Sequence, residues 1–121
     1  MSVMTQTILI VDDHAGFRAS ARSLLECAGF RVVGEAANGA EAVALAAALR
    51  PEVVLLDVQL PDLNGFEVAE RLRGMQDPPQ VILTSTRESG DFGPLVATTA
   101  ARGFVGKAEL SADAVSALLA A

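Results

Sequence analysis

The chain has 121 residues, 51% of them hydrophobic and 20% charged, with a formal net charge of −6. That length suits one compact domain of radius roughly 14 Å, burying about two-thirds of its unfolded surface, so a core needs no disulfide staple. The negative balance argues against a nucleic-acid or anionic-membrane surface, and no apolar run approaches the roughly 18 residues that span a bilayer. No basic stretch precedes an apolar one at the start, so no signal peptide is visible. A lone cysteine, Cys27, forms no internal disulfide and suits a reducing compartment. These features predict a soluble, acidic, cytoplasmic protein made of one domain over residues 1–121, with residues 1–5 as a disordered tail.

In chain order, short apolar runs alternate with segments of helical period. Ile8-Leu9-Ile10-Val11 reads as the first strand. In the helix after it, Phe17, Ala21, Leu24, Leu25 and Ala28 recur at the spacing of one stripe, and Gly29 sits where the helix would stop. Cys27, on the apolar side, reads as a small core residue. The second strand is Arg31-Val32-Val33-Gly34. An alanine-rich helix follows Asn38-Gly39 through Leu49 and is closed by Pro51. Val53-Val54-Leu55-Leu56 is the third strand. The third helix starts after Asn64, with Glu67 placed as in a capping box; Val68, Ala69 and Leu72 face inward, and Glu67 can pair with Arg71 outside. Val81-Ile82-Leu83 is the fourth strand. The segment from Asp91-Phe92-Gly93-Pro94 to Thr99 reads as a short or mobile fourth helix, because Pro94 suits a first turn whereas Thr98 and Thr99 are poor helix formers. Gly103-Phe104-Val105 is the fifth strand, and a fifth helix from Ser111 buries Val115, Leu118 and Leu119.

The first, third and fourth strands are continuously apolar, the pattern of strands covered on both faces. Five strand–helix units with right-handed crossovers predict a flavodoxin-like, doubly wound α/β sandwich. Its parallel sheet would have five strands in the order 2-1-3-4-5, with five helices.

In such a fold ligands bind outside the carboxyl ends of the strands. The first apolar run ends in Asp12-Asp13, the third in Asp57, the fourth in Thr84-Ser85, and the fifth is followed by Lys107. The second ends in Glu35-Ala36, with no evident functional group. If the first and third strands are neighbours, three carboxylates converge. Two unit charges about 4 Å apart cost about 4 kcal/mol at an effective dielectric near 20, so a proton or cation must offset them. All-oxygen ligands favour a hard divalent ion such as Mg²⁺. Lys107, the only lysine, suits an anionic ligand such as a phosphoryl group. A carboxylate can attack phosphorus and form an acyl phosphate. Asp57, isolated on its own strand, is the candidate nucleophile, with Asp12 and Asp13 better placed for the metal and Thr84 as a hydrogen-bond donor.

Ile8-Leu9-Ile10-Val11-Asp12-Asp13, the run from Leu55 through Asp57 to Gly65, Val81-Ile82-Leu83-Thr84-Ser85, and Gly103-Phe104-Val105-Gly106-Lys107 stand in this order along the chain. Together they resemble the receiver domain of two-component response regulators, in its single-domain, chemotaxis-regulator-like form. The resemblance implies a phosphoacceptor switch rather than an enzyme with a separate substrate. Asp57 would take a phosphoryl group from a phosphohistidine on a sensor histidine kinase or phosphotransfer protein. Asp13, Asp57 and the Gln59 backbone carbonyl would bind Mg²⁺, with Asp12 acting mostly through a metal-bound water. Thr84 and Lys107 would contact the phosphoryl oxygens, and Thr84 and Phe104 would form the switch. Gln59 and Thr86 would tune the phosphoryl lifetime. The changed surface would be the fourth helix, fifth strand and fifth helix, binding a downstream target protein, with no direct nucleic-acid or membrane contact.

The family usually has a proline after the lysine, often in a cis peptide; here Ala108 follows, and a non-proline cis bond costs about 3 kcal/mol, so trans is expected. His14 reads as a helix-start residue at the pocket rim, and the arginines as scattered. The alternative function is a degenerate receiver acting as a phosphorylation-independent binding module. An enzyme on the same fold, such as a flavin carrier or phosphatase, lacks a G-x-G-x-x-G or G-x-x-x-x-G-K-[ST] pattern here.

Overall fold

A computed structural model describes residues 6–86 and 103–120. Its elements are β1 (Thr7–Val11), α1 (Ala15–Cys27), β2 (Arg31–Ala36), α2 (Gly39–Leu49), β3 (Val53–Asp57), α3 (Gly65–Arg73), β4 (Gln80–Ser85) and β5 (Gly103–Gly106). A 3-10 turn at Lys107–Glu109 and α4 (Ala112–Ala120) complete it. The strands form one parallel sheet in the order β2-β1-β3-β4-β5, as predicted. Among the described residues there are four helices; the predicted helix at 91–99 lies outside them, as do residues 1–5.

Alternate strand residues explain the unbroken apolar runs. Leu9, Val11, Val54, Leu56 and Leu83 pack with Ala42 and Ala46 of α2 and Val68, Ala69 and Leu72 of α3. Their neighbours Ile8, Ile10, Val53, Leu55 and Ile82 pack on the other face with Ala21 and Leu25 of α1 and Val115 of α4. From Ile8 to Val11, Val53 to Leu56 and Val81 to Leu83 every position is therefore core, and the first polar residue after each run marks where it ends. Among the described residues no helix is long and apolar enough to cross a membrane.

Helix ends follow local chemistry. Asn38 Oδ1 accepts from the Glu41 N–H and Asn64 Oδ1 from the Glu67 N–H, capping α2 and α3. Ser111 Oγ accepts from Ala114 N at the start of α4, whose Val115 is buried and whose Leu118 and Leu119 are half-buried. Gly29 takes φ +98°, a left-handed turn that ends the α1 region.

Three expectations are corrected. Ala28 lies past the end of α1 and is exposed, because the helix closes on Cys27 before the stripe reaches it. Cys27 is likewise exposed, not core. Glu67 does not pair with Arg71: its Oε1 takes Asn64 Nδ2 at 3.3 Å, and the ion pair on α3 is Arg73 with Glu70.

The β1–β2 register carries a bulge. Ile8 pairs with Val32, but Leu9 pairs with Gly34, so one residue is left over. Strict alternation from Val32 would send Glu35 to the α2–α3 face; the bulge turns it to α1 instead. There Glu35 accepts from Arg18 Nε at 3.1 Å and Arg22 Nε at 2.7 Å. These bonds, that to Arg22 first, hold the Glu35 carboxyl below its ordinary range. A depressed folded value stabilises the fold above the unfolded carboxylate range, near pH 4.3, and the contribution vanishes as pH falls through the folded value. Glu35→Gln is therefore expected to lose about 1 kcal/mol at neutral pH. Urea titrations should show the two proteins converging in acid; a gap independent of pH would contradict this ion-pair account.

Candidate functional site

All four polar strand ends meet at one edge of the sheet. β1 delivers Asp12, which is fully buried and anchored where its N–H donates to Ala36 O at 3.0 Å. β3 ends in buried Asp57, register partner of Thr84 on β4, and Val58 N donates to Thr84 O at 2.9 Å. β5 leads into Lys107, which opens the 3-10 turn. Among the described residues there is no cis peptide, so the Lys107–Ala108 bond is trans, as expected.

Lys107 turns inward from this trans backbone. Its Nζ lies 2.5 Å from Asp12 Oδ2 and 3.2 Å from Asp57 Oδ2, with its side chain only 12% exposed. The ammonium also stands 4.6 Å from the centre of the Phe17 ring, a cation–π contact. Asp57 Oδ1 accepts from the Gln59 N–H at 3.1 Å. Thr84 Oγ1 is buried with no hydrogen-bond partner among the described residues, a hydroxyl held ready for an acceptor.

The electrostatics are asymmetric. Burial pushes the Asp57 carboxyl above its ordinary range, and the Asp12 charge adds to this, against the opposing pull of Gln59 N–H and Lys107. Burial pulls the Lys107 ammonium down, but its bonds to Asp12 and the charge of Asp57 outweigh that, leaving it raised and charged. One fixed cation thus stands against a crowded acidic cluster. Ligand atoms of Asp12, Asp13, His14 and Asp57 all lie within 4.8 Å of one another. The carboxylates among them form an oxygen-rich set of the kind a hard divalent ion takes.

The other predicted residues fall around this centre. Gln59 and Thr86 are exposed beyond the ends of β3 and β4. Phe104 on β5 is half-buried, opposite Leu83 in the register, and packs against the α2–α3 cluster. Sequence reading missed three participants. Phe17 belonged to a helix stripe, yet it faces the ammonium. Arg18 Nη1 donates to the Asp12 carbonyl at 2.6 Å, tying the Glu35 pair to the acidic turn. Asp62, in the loop after Asp57, accepts from Gly39 N at 2.7 Å and Ala40 N at 2.9 Å, pinning that loop to the start of α2. An Asp in a loop was the only available signal, and it does not say which helix it caps.

The model of the response regulator receiver domain matches residues 8–119. The chain belongs to the response regulator receiver domain family. The DNA-binding transcriptional activator EvgA of Escherichia coli K12 is 34% identical over 113 residues, 93% of this receiver and 55% of EvgA. Protein-glutamate methylesterase/protein-glutamine glutaminase 3 of Hahella chejuensis is 38% identical over 84 residues, 69% of this receiver and 24% of that protein. A LuxR-family two-component response regulator from Aurantimonas superposes with a TM-score of 0.86 at 31% identity, covering 97% of this receiver and 86% of that chain. The receiver spans about half the length of the curated transcription regulators it matches.

Proposed function

We propose that this receiver is a phosphoacceptor switch that takes a phosphoryl group onto Asp57. The observation that carries the reading is the company of Asp57. A buried carboxylate meets a charged ammonium at 3.2 Å, and its register partner carries a buried hydroxyl that has no partner among the described residues. A phosphoryl group on Asp57 gives both of those groups an anionic acceptor.

In the transfer, an Asp57 oxygen attacks the phosphorus of a phosphohistidine on a sensor histidine kinase or phosphotransfer protein. The O–P bond forms as the P–N bond breaks, and the imidazole leaves with the bonding pair and takes up a proton. Lys107 pairs with the phosphoryl oxygens and Thr84 donates to one of them, so charge that develops in transfer meets donors already in place. Asp13, Asp57 and the Gln59 carbonyl would hold Mg²⁺ directly and Asp12 through water, and the ion would neutralise charge on the transferring group. The receiver promotes only its own gain and loss of phosphate.

Recruitment of Thr84 towards the phosphoryl group is the local change. Phe104, across from Leu83 beside it, responds by repacking, and the altered β5 surface selects a downstream target protein. Gln59 and Thr86, exposed beside the site, set how fast water removes the phosphoryl group. A net charge of −6 suits a protein partner in the cytoplasm rather than direct contact with nucleic acid or a membrane surface. Incubation with acetyl phosphate and Mg²⁺, followed by intact mass, should show the gain of one phosphoryl group by the natural chain and none by Asp57→Ala. Equal gain by both would reject the assignment. No gain by either, with a cognate kinase also failing, would favour a binding module that works without phosphate.

A further inference from the structure

His14 is the N-cap of α1, as a helix-start residue should be, yet its side chain caps nothing. Its backbone N–H donates to Asp12 Oδ1 at 2.8 Å. Although the side chain is 70% exposed and free to turn to water, its Nδ1 lies 3.0 Å from Asp13 Oδ1 and 3.2 Å from Asp12 Oδ1. Neighbouring ligands of an octahedral ion with bonds of about 2.1 Å stand about 3 Å apart. His14 Nδ1 already sits at that spacing from Asp13, the carboxylate that would hold the ion directly. Lys107 approaches the opposite edge, Oδ2 of Asp12 and of Asp57, so ammonium and imidazole do not compete for the same oxygens.

We propose that His14 supplies a nitrogen ligand to the divalent ion of this pocket, and so shifts the preference of the pocket from Mg²⁺ towards Mn²⁺, Ni²⁺ and Zn²⁺. The inference rests on the reading of the acidic cluster as a divalent-ion site. A hard ion such as Mg²⁺ gains least from imidazole, whereas affinity for an N/O site climbs from Mn²⁺ towards Cu²⁺. The bound ring carries its proton on Nε2 and presents the Nδ1 lone pair. A protonated ring resting on two carboxylates would give the same distances without any nitrogen on the ion, and the two arrangements differ spectroscopically.

The test uses the full chain with Mn²⁺ alone. Pulsed EPR of the bound ion should show modulation from a directly coordinated ¹⁴N, absent in His14→Ala. The ratio of Mn²⁺ to Mg²⁺ affinity, read by displacing Mn²⁺ with Mg²⁺, should fall roughly tenfold in the variant. His14 is exposed and its ring is outside the core, so the variant is expected to fold; His14→Gln, which keeps polarity without an imidazole, should behave as the alanine form does. Mn²⁺ binding with the same spectrum and ratio in all three proteins overturns the inference and leaves the acidic site standing. Failure of all three to bind Mn²⁺ overturns both.

Discussion

Lys107→Ala should slow phosphoryl acceptance from acetyl phosphate by about 10²–10³-fold, the loss typical when one preorganised donor is removed from a site of developing charge. The time course of intact mass at saturating Mg²⁺ measures it. Three properties make this residue the sensitive one. It is the sole lysine, so no neighbour of the same kind replaces it. It is nearly buried and already touches both Asp12 and Asp57, so its charge acts in a poorly screened setting. Phe17 and the two carboxylates also fix where the ammonium sits, so little reorganisation is needed when the phosphoryl group arrives. Lys107→Arg should recover little, because a planar fork does not fill the place of a compact ammonium between two oxygens. Unchanged rates in Lys107→Ala would mean that the ammonium merely balances buried charge.

Gly65→Ala should destabilise the fold by about 2–3 kcal/mol and also lower acceptance at Asp57. A Cβ at Gly65 would stand 2.5 Å from Asp57 O and 2.7 Å from Val58 Cα. Both obstacles are backbone, so no side chain can swing aside. The glycine is there because α3 begins against the strand that carries the nucleophile, with Gly65 N donating to Val58 O at 2.6 Å. Pushing that contact apart moves the carboxyl end of β3 and with it Asp57. Gly16 is the contrast: it lies in α1, and a Cβ there meets nothing within 4 Å. Gly16→Ala should raise stability by about 0.5–1 kcal/mol and leave acceptance unchanged. Denaturant midpoints and mass time courses of both variants distinguish a local steric effect from general sensitivity to glycine loss; equal behaviour would contradict it.

Much of this was legible in the residues because the sheet is buried on both faces. A strand that must be apolar at every position announces its end by its first polar residue, and here those ends are Asp12, Asp57, Thr84 and Lys107. Their gathering follows from parallel strands, whose carboxyl ends share one edge. What stayed hidden depends on contacts between elements. The β1–β2 bulge shifts alternation by one residue, so the side chosen by Glu35, and its bonds to Arg18 and Arg22, cannot be read from a period of two. Phe17 obeys the stripe of α1 and still serves the site, because the stripe's first turn overhangs Lys107. Cys27 is the last residue of α1 and Ala28 lies just past it, so both are exposed where the apolar side of the helix would have buried them. Glu67 and Arg71 have the right spacing to pair, yet Asn64 competes for the same carboxylate at shorter sequence distance.

The decisive measurement is chemical localisation of the phosphoryl group. After treatment with acetyl phosphate and Mg²⁺, borohydride reduction of the acyl phosphate and peptide mapping should place the reduced residue at Asp57 alone. A mark on Asp12 or Asp13 instead, or a stable phosphoester on Thr84, would contradict the central claim that the β3 carboxylate is the acceptor.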